Sequence, residues 1–189
     1  MSNQFFEIKN GNFVASEKNK VNDVNLKIQN QGEIVSLLGP SGVGKTTVLR
    51  TIAGLQKLSS GEIFLKNKLI SSNKTHIEPE KRNIALSFQD NSLFPNYKVI
   101  DNINFGKKRL NGNSSTIDAD EIIKLLHIEP ILEKFPHQIS AGEAQRVSLA
   151  RSLVSKPDLL LLDEPFSNID QSFKEEIQVS VKKLLKRIN

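Results

Sequence analysis

Gly39-Pro40-Ser41-Gly42-Val43-Gly44-Lys45-Thr46 fits the phosphate-binding pattern G-x-x-x-x-G-K-[ST] at every fixed position. Before it, Ile34-Val35-Ser36-Leu37-Leu38 is a short apolar run, the pattern of a buried parallel strand. After it, Val48, Leu49, Ile52 and Leu55 recur at helical spacing, and Gly54 loosens the end. Strand, glycine loop and helix form the context in which this motif holds phosphate.

The residue types follow from the chemistry. A triphosphate is densely anionic, so its site must supply donors without bulk. Gly39, Gly42 and Gly44 let successive backbone N–H groups point inward, and the helix adds its positive end. Pro40, Ser41 and Val43 complete the loop, with Thr47 directly behind it. Lys45 brings a point charge to the β/γ-phosphates, and the Thr46 hydroxyl is placed to ligate Mg²⁺. A nucleoside triphosphate is the expected ligand.

At 189 residues the chain has the length of one ordinary domain. Its 38% hydrophobic and 25% charged residues are globular proportions. With no cysteine, disulfides and cysteine metal sites are excluded, which suits a reducing cytoplasm. Met1-Ser2-Asn3-Gln4 lacks the basic and apolar regions of a signal peptide. No apolar run approaches the ~18 residues needed to span a bilayer, so any membrane role runs through a partner. The net charge of +5 is spread over lysines interleaved with acids, apart from Lys107-Lys108-Arg109 and Lys182 to Arg187. That is a solvated surface, and no nucleic-acid partner is expected.

Phe5 to Lys9 and Val24 to Ile28 read as strands, and Gly32 turns the chain toward the loop. Gly61 to Leu65 and Leu69-Ile70 flank Lys66-Asn67-Lys68 as a hairpin, and Ile84 to Phe88 is another buried strand. From Asp90 to Gly112 the apolar residues lack a clean period. Helices are predicted after an Asp118 or Asp120 cap, from Ser140, and from Lys174 with Ile177, Val181, Leu184 and Leu185 on one face. A helical turn is predicted from Ile131 to Phe135, closed by Pro136. Strands alternating with helices, with antiparallel pieces in the first third, indicate an α/β protein.

The second strong signal is Leu159-Leu160-Leu161-Leu162-Asp163-Glu164, an apolar strand that carries Asp163 to its C-terminal end. Ligands of open α/β sheets bind there. Asp163 is placed to hold Mg²⁺ opposite Thr46, and Glu164 to polarise an attacking water as general base. Ser140-x-x-Glu143 is a capping box opening a helix whose buried side carries Val147, Leu149, Ala150 and Leu153. Gly142 in its first turn weakens that helix by ~1 kcal/mol, so a small residue there has another purpose, such as the approach of a phosphate.

Gly39–Thr46, Gln89, Ser140–Arg146, Leu159–Glu164 and Ser167-Asn168-Ile169-Asp170 stand in the order of the ATP-binding cassette (ABC) ATPases, which the chain resembles along essentially its whole length. The resemblance implies a P-loop NTPase fold with an N-terminal antiparallel β part, about residues 1–30 and 61–70. It also implies a helical subdomain, about 90–155, that carries the signature motif Ser140–Gln145. It implies ATP and Mg²⁺ as ligands and hydrolysis of ATP. Gln89 is then expected to reach Mg²⁺ and the water, and Asp170 to link paired sites. In such a pair, Ser140 and Gly142 touch the γ-phosphate held by a second cassette, here in a homodimer. Pro79-Glu80-Lys81-Arg82, Phe88 to Pro95, Phe135 to Ser140 and Asp163 to Ser167 are most similar to importer ATPases for ferric iron, sulfate, polyamines and maltose. The implied setting is the cytoplasmic face of the membrane, against permease subunits, with ferric iron the first choice of cargo. Leu93 and Phe94 are expected at the surface that receives the permease, or as ordinary packing.

The chain departs from the family pattern in places. Ala141 and Glu143 replace Gly and Gln of the signature, and Asn168 and Ile169 stand where Ala and Leu are usual. The adenine-stacking aromatic has Ala15 near its place, with Phe13 the nearest candidate. The family's strand and switch histidine after the Glu are missing, since His76, His127 and His137 all precede Glu164. A C-terminally short chain is expected, and a truncated cassette that binds ATP without efficient hydrolysis is one alternative to the hydrolysing one. A soluble cassette acting on DNA or ribosomes is the alternative from another class.

Overall fold

The computed structural model describes residues 4–14, 20–88, 92–107, 119–169 and 171–188. The chain divides into two compact units, Met1–Ile84 and Ala85–Asn189.

In the first unit, β1 (Phe6–Val14) and β2 (Lys20–Ile28) are longer than the apolar patterns predicted. With β3 (Ser60–Leu65) and β4 (Lys68–Ser71) they form an antiparallel sheet in the order β2-β1-β3-β4. Ile8 stands opposite Leu26 on one side and Ile63 on the other, and Phe6, Ile8, Phe13 and Ile63 are buried. The register slips on either side of Gly11, where an added Cβ would meet Ile8 and Phe13. Lys66 and Asn67 both take positive φ, the backbone a tight hairpin requires. Helix α1 (Lys45–Ala53) runs from Gly44 to Gly54, both left-handed; it packs against β1, and Val48, Leu49 and Ile52 are buried. The chain leaves the helix at Gly54, so Leu55 lies outside it and is exposed.

One expectation is corrected. Ile34 to Leu38 is neither a strand nor buried: Ile34, Val35 and Leu37 are exposed and Leu38 is 92% exposed. An apolar run becomes a strand only where a neighbour supplies ladder bonds. The sheets among the described residues hold β1 to β4 and, separately, two later strands, and neither includes this segment.

The second unit continues from β5 (Ile84–Ser87), which pairs with β6 (Leu159–Leu162). Of the four leucines of β6 only Leu161 is fully buried. Helix α2 (Val99–Lys107) lies where no period was legible. It is followed by α3 (Ala119–Leu125), α4 (Ala141–Val154) and α5 (Gln171–Ile188). In place of the helical turn predicted from Ile131 to Phe135 there are short 3-10 turns at Glu129–Ile131 and Pro136–Gln138. Both α2 and α3 pack on α4, and α3 also meets α5. Val99 and Ile103, Ile122 and Leu126, Val147, Leu149 and Leu153, and Ile177, Val181 and Leu184 close one apolar core. No helix among the described residues is long and apolar enough to cross a membrane.

Candidate phosphate loop and acidic turn

In the first unit, Gly39, Gly42 and Gly44 have φ of 157°, 80° and 103°. Gly42 has open space where a Cβ would stand, so conformation alone calls for glycine there. At Gly44 a Cβ would also run into the Val21 side chain. Residues 39–43 are exposed, Gly44 to Thr46 half-buried, and Thr47 buried in the first turn of α1. Val48 N–H donates to the Gly44 carbonyl at 3.0 Å, so the helix ladder closes straight onto the loop. The first N–H groups of a helix have no partner within it, and an anion is what such an end attracts. Lys45 Nζ folds over the loop and donates to the carbonyls of Gly39 and Pro40 at 2.8 and 2.9 Å. An ammonium carries three donors, so this pose sets the charge above the loop with capacity for a phosphate oxygen.

The far end of α1 is held by a residue to which the sequence, where it stands in Pro79–Arg82, gives no role of its own. Arg82 is 3% exposed. Its guanidinium donates to the carbonyls of Thr51, Ile52 and Ile77 and to Ser71 Oγ, at 3.1, 2.8, 2.6 and 2.9 Å. The last carbonyls of a helix favour a cation. Burial draws the Arg82 pKa down to about 10, with the charge of Glu78 partly offsetting it, so the group stays protonated at neutral pH. The Arg82 side chain fills the space that a side chain at Gly54 would need.

In the second unit, Asp163 follows β6 and is 8% exposed; its N–H donates to the Ser87 carbonyl at 3.1 Å. A carboxylate so buried is stable beside a cation or N–H donors. Its hard carboxylate oxygens are donors of the kind Mg²⁺ takes, and Mg²⁺ draws its other ligands from water and phosphate. Asp163 therefore fits the ion. Glu164 is exposed and sits in the left-handed region at φ 48°. At the start of α4 the capping box is as predicted: Ser140 Oγ accepts from Glu143 N–H at 3.2 Å, and Glu143 Oε2 from Ser140 N–H at 2.7 Å. The Ser140 N–H holds the Glu143 carboxyl below its ordinary pKa. At Gly142, a Cβ would lie 2.7 Å from the Asn168 carbonyl oxygen, so its small size has a reason inside the chain. Gln145, which sequence reading placed in the motif without a role, is buried and bonded to the loop beyond Glu164. A polar residue one helical turn from Leu149, among the buried positions of α4, is the available signal.

Gln89, Asp170 and Ala15 lie outside the described residues. Phe13 is fully buried in β1, so it belongs to the core and is no stacking platform. Leu93 and Phe94 are half-buried. The Phe94 ring packs on Tyr97 and Phe105 at 5.6 and 4.7 Å between centroids, and Arg151 lies over it. The turn that carries Phe94 is pinned by buried Asn102, whose Oδ1 accepts from Phe94 N–H at 2.8 Å. Its Nδ2 donates to the carbonyls of Phe94, Tyr97 and Lys98.

Comparison with known proteins agrees with this architecture. The family profile described as ABC transporter matches residues 21–167. The glucose import ATP-binding protein of Saccharolobus solfataricus is 42% identical over 183 residues, 95% of this chain and 50% of that protein. The maltose/maltodextrin import ATP-binding protein of Mannheimia succiniciproducens is 40% identical over 88% of this chain and 44% of its own length. An Fe(3+) ions import ATP-binding protein of Haemophilus influenzae is 38% identical over 99% of this chain and 53% of its own length. The chain thus spans about half the length of the curated relatives it matches. Among solved structures, the dimeric ATP-binding cassette MJ0796, bound to ADP and Pi, superposes with a TM-score of 0.81 at 30% identity. That match covers 96% of this chain and 83% of the other. A component of the cbiONQ transporter complex from Clostridium perfringens gives a TM-score of 0.76 at 29% identity, covering 98% of this chain and 75% of that one.

Proposed function

We propose that this chain, which belongs to the ABC transporter family, is the ATP-binding and ATP-hydrolysing cassette of a solute importer. The observation that carries the reading is the loop at 39–46, where three glycines of positive φ lead into α1 and Lys45, its first residue, folds back over them. Lys45 and the loop N–H groups bind and orient the triphosphate. By resemblance to the family, Thr46, Asp163 and Gln89 are the residues that would hold Mg²⁺, an ion that would supply charge compensation for the phosphate oxygens. Glu164 takes the proton of the attacking water. Ser140 and Gly142 serve the nucleotide of a second cassette, a reading supported by the dimeric form of MJ0796.

The import direction rests on the relatives, whose names specify import of maltose, glucose, Fe(3+) ions and sn-glycerol-3-phosphate. Ferric iron is our choice of cargo, from overall likeness. Permease subunits at the inner face of the membrane are the partners, and Tyr97 and Phe105, both exposed beside Phe94, offer the apolar surface for them.

Thermal unfolding with and without MgATP tests the reading. At ~100 times its dissociation constant, ATP stabilises a binding chain by ~2.7 kcal/mol. The gain is expected in the parent and absent in Lys45→Ala; a parent indifferent to MgATP would overturn the assignment. Glu164→Gln is expected to keep the gain and lose turnover.

A second reading, nucleotide binding without efficient hydrolysis, is favoured by the unladdered state of Ile34 to Leu38, the segment that feeds the loop. MgATP stabilisation without phosphate release would select it.

A further inference from the structure

We propose that Gln145 is the positioning residue of the acidic turn, joining the first turns of α4 to the backbone that carries Glu164. The inference rests on the reading of Glu164 as the base. Gln145 is 1% exposed. Its Nε2 donates to the Glu164 carbonyl at 2.8 Å and to Ser167 Oγ at 3.3 Å, and its Oε1 accepts from Asn168 N–H at 2.9 Å. The orientation of the amide is forced, because a backbone carbonyl can only accept and a backbone N–H can only donate. One side chain therefore grips both ends of the turn.

The turn needs a grip. Glu164 has φ 48°, a conformation unfavourable for a residue with a Cβ and kept only where the surroundings over-determine it. Its carbonyl also accepts from Ser167 N–H at 3.2 Å, which closes the turn on itself. One helical turn before Gln145 and on the same face, Gly142 leaves just enough room for the Asn168 carbonyl. Bonding at Gln145 and close approach at Gly142 make the start of α4 and residues 164–168 one body. A displacement of Ser140 and Gly142 is then felt at Glu164 of the same subunit.

The test compares the full chain with Gln145→Leu by amide hydrogen exchange without nucleotide, then by MgATP affinity and turnover. Exchange at Asn168 is expected to rise about tenfold, the loss of one buried hydrogen bond, while amides from Val147 to Leu153 keep their protection. Affinity is expected to stay within about twofold, while kcat falls ten- to a hundredfold through misplacement of the base. In a Glu164→Gln background, Gln145→Leu is expected to raise exchange equally and to leave the residual rate unchanged. If Gln145→Leu does not fold, Gln145→Glu serves: it keeps the acceptor for Asn168 and loses the donor to Glu164, so Asn168 stays protected while kcat falls. Unchanged exchange at Asn168 in Gln145→Leu, loss of protection along all of α4, or an unchanged kcat would each overturn the proposal. A parent chain that binds no MgATP counts against the nucleotide reading alone, and the exchange result still decides the clamp.

Discussion

Arg82 Nη1 donates to the Ile52 carbonyl at 2.8 Å, and so a buried cation closes the end of α1 opposite to the one that carries Lys45. The guanidinium also reaches Thr51, Ile77, Ser71 and His76 from the same position, so its planar fork cannot be replaced by a single ammonium. Replacing Arg82 by Met leaves helix carbonyls unpaired in a dry site. A loss of about 3 kcal/mol and a Tm fall of roughly 6–12 °C are expected, with partial recovery in Arg82→Lys. Chemical denaturation of the three proteins measures it.

Within the phosphate loop two glycines separate by mechanism. Gly42→Ala meets only the backbone penalty of positive φ, about 1 kcal/mol, because the space beside it is open. Gly44→Ala adds a collision with Val21 and should lose about 2–3 kcal/mol. Equal losses in thermal unfolding would remove the role given to Val21.

The capping box of α4 makes stability depend on acid. Ser140 N–H lowers the Glu143 pKa in the folded chain, so its stabilisation is complete above the ordinary carboxylate range and is lost as pH falls through the lowered value. Glu143→Ala should therefore be weaker than the parent by about 1 kcal/mol at pH 7. The gap should narrow once the pH drops below ~4.3, and a gap independent of pH would show that the carboxylate charge is not involved.

Asn102 holds the turn at Phe94 to Lys98 through its side-chain amide. Asn102→Leu keeps the volume and abandons these bonds, with an expected loss of about 2 kcal/mol. Tyr97 is the chain's single tyrosine and there is no tryptophan, so its emission reports on this turn directly. A changed spectrum in the folded variant is expected; an unchanged one would mean that the aromatic packing alone holds the turn.

What was legible in the sequence was local. The phosphate loop, the hairpin at Lys66-Asn67 and the box Ser140–Glu143 are fixed by residues within a few positions of each other, and each stands where predicted. Gln145 and Arg82 act on backbone brought near by folding, 19 and 31 residues away, and a linear pattern carries little trace of that. Ile34 to Leu38 failed for a related reason: apolarity is written in the residues, but a ladder needs a neighbour that the pattern does not contain. At Gly142 the sequence marks a need for small size, and the Asn168 carbonyl is one group that takes the room.

The open stretch from Ile34 to Leu38 also carries an expectation for the purified chain in concentrated solution. Apolar side chains beside unladdered amides make an adhesive edge, the kind that recruits like segments into intermolecular sheets. A charge at its most exposed position, Leu38→Lys, is then a gatekeeper: it should raise the concentration at which the protein stays clear.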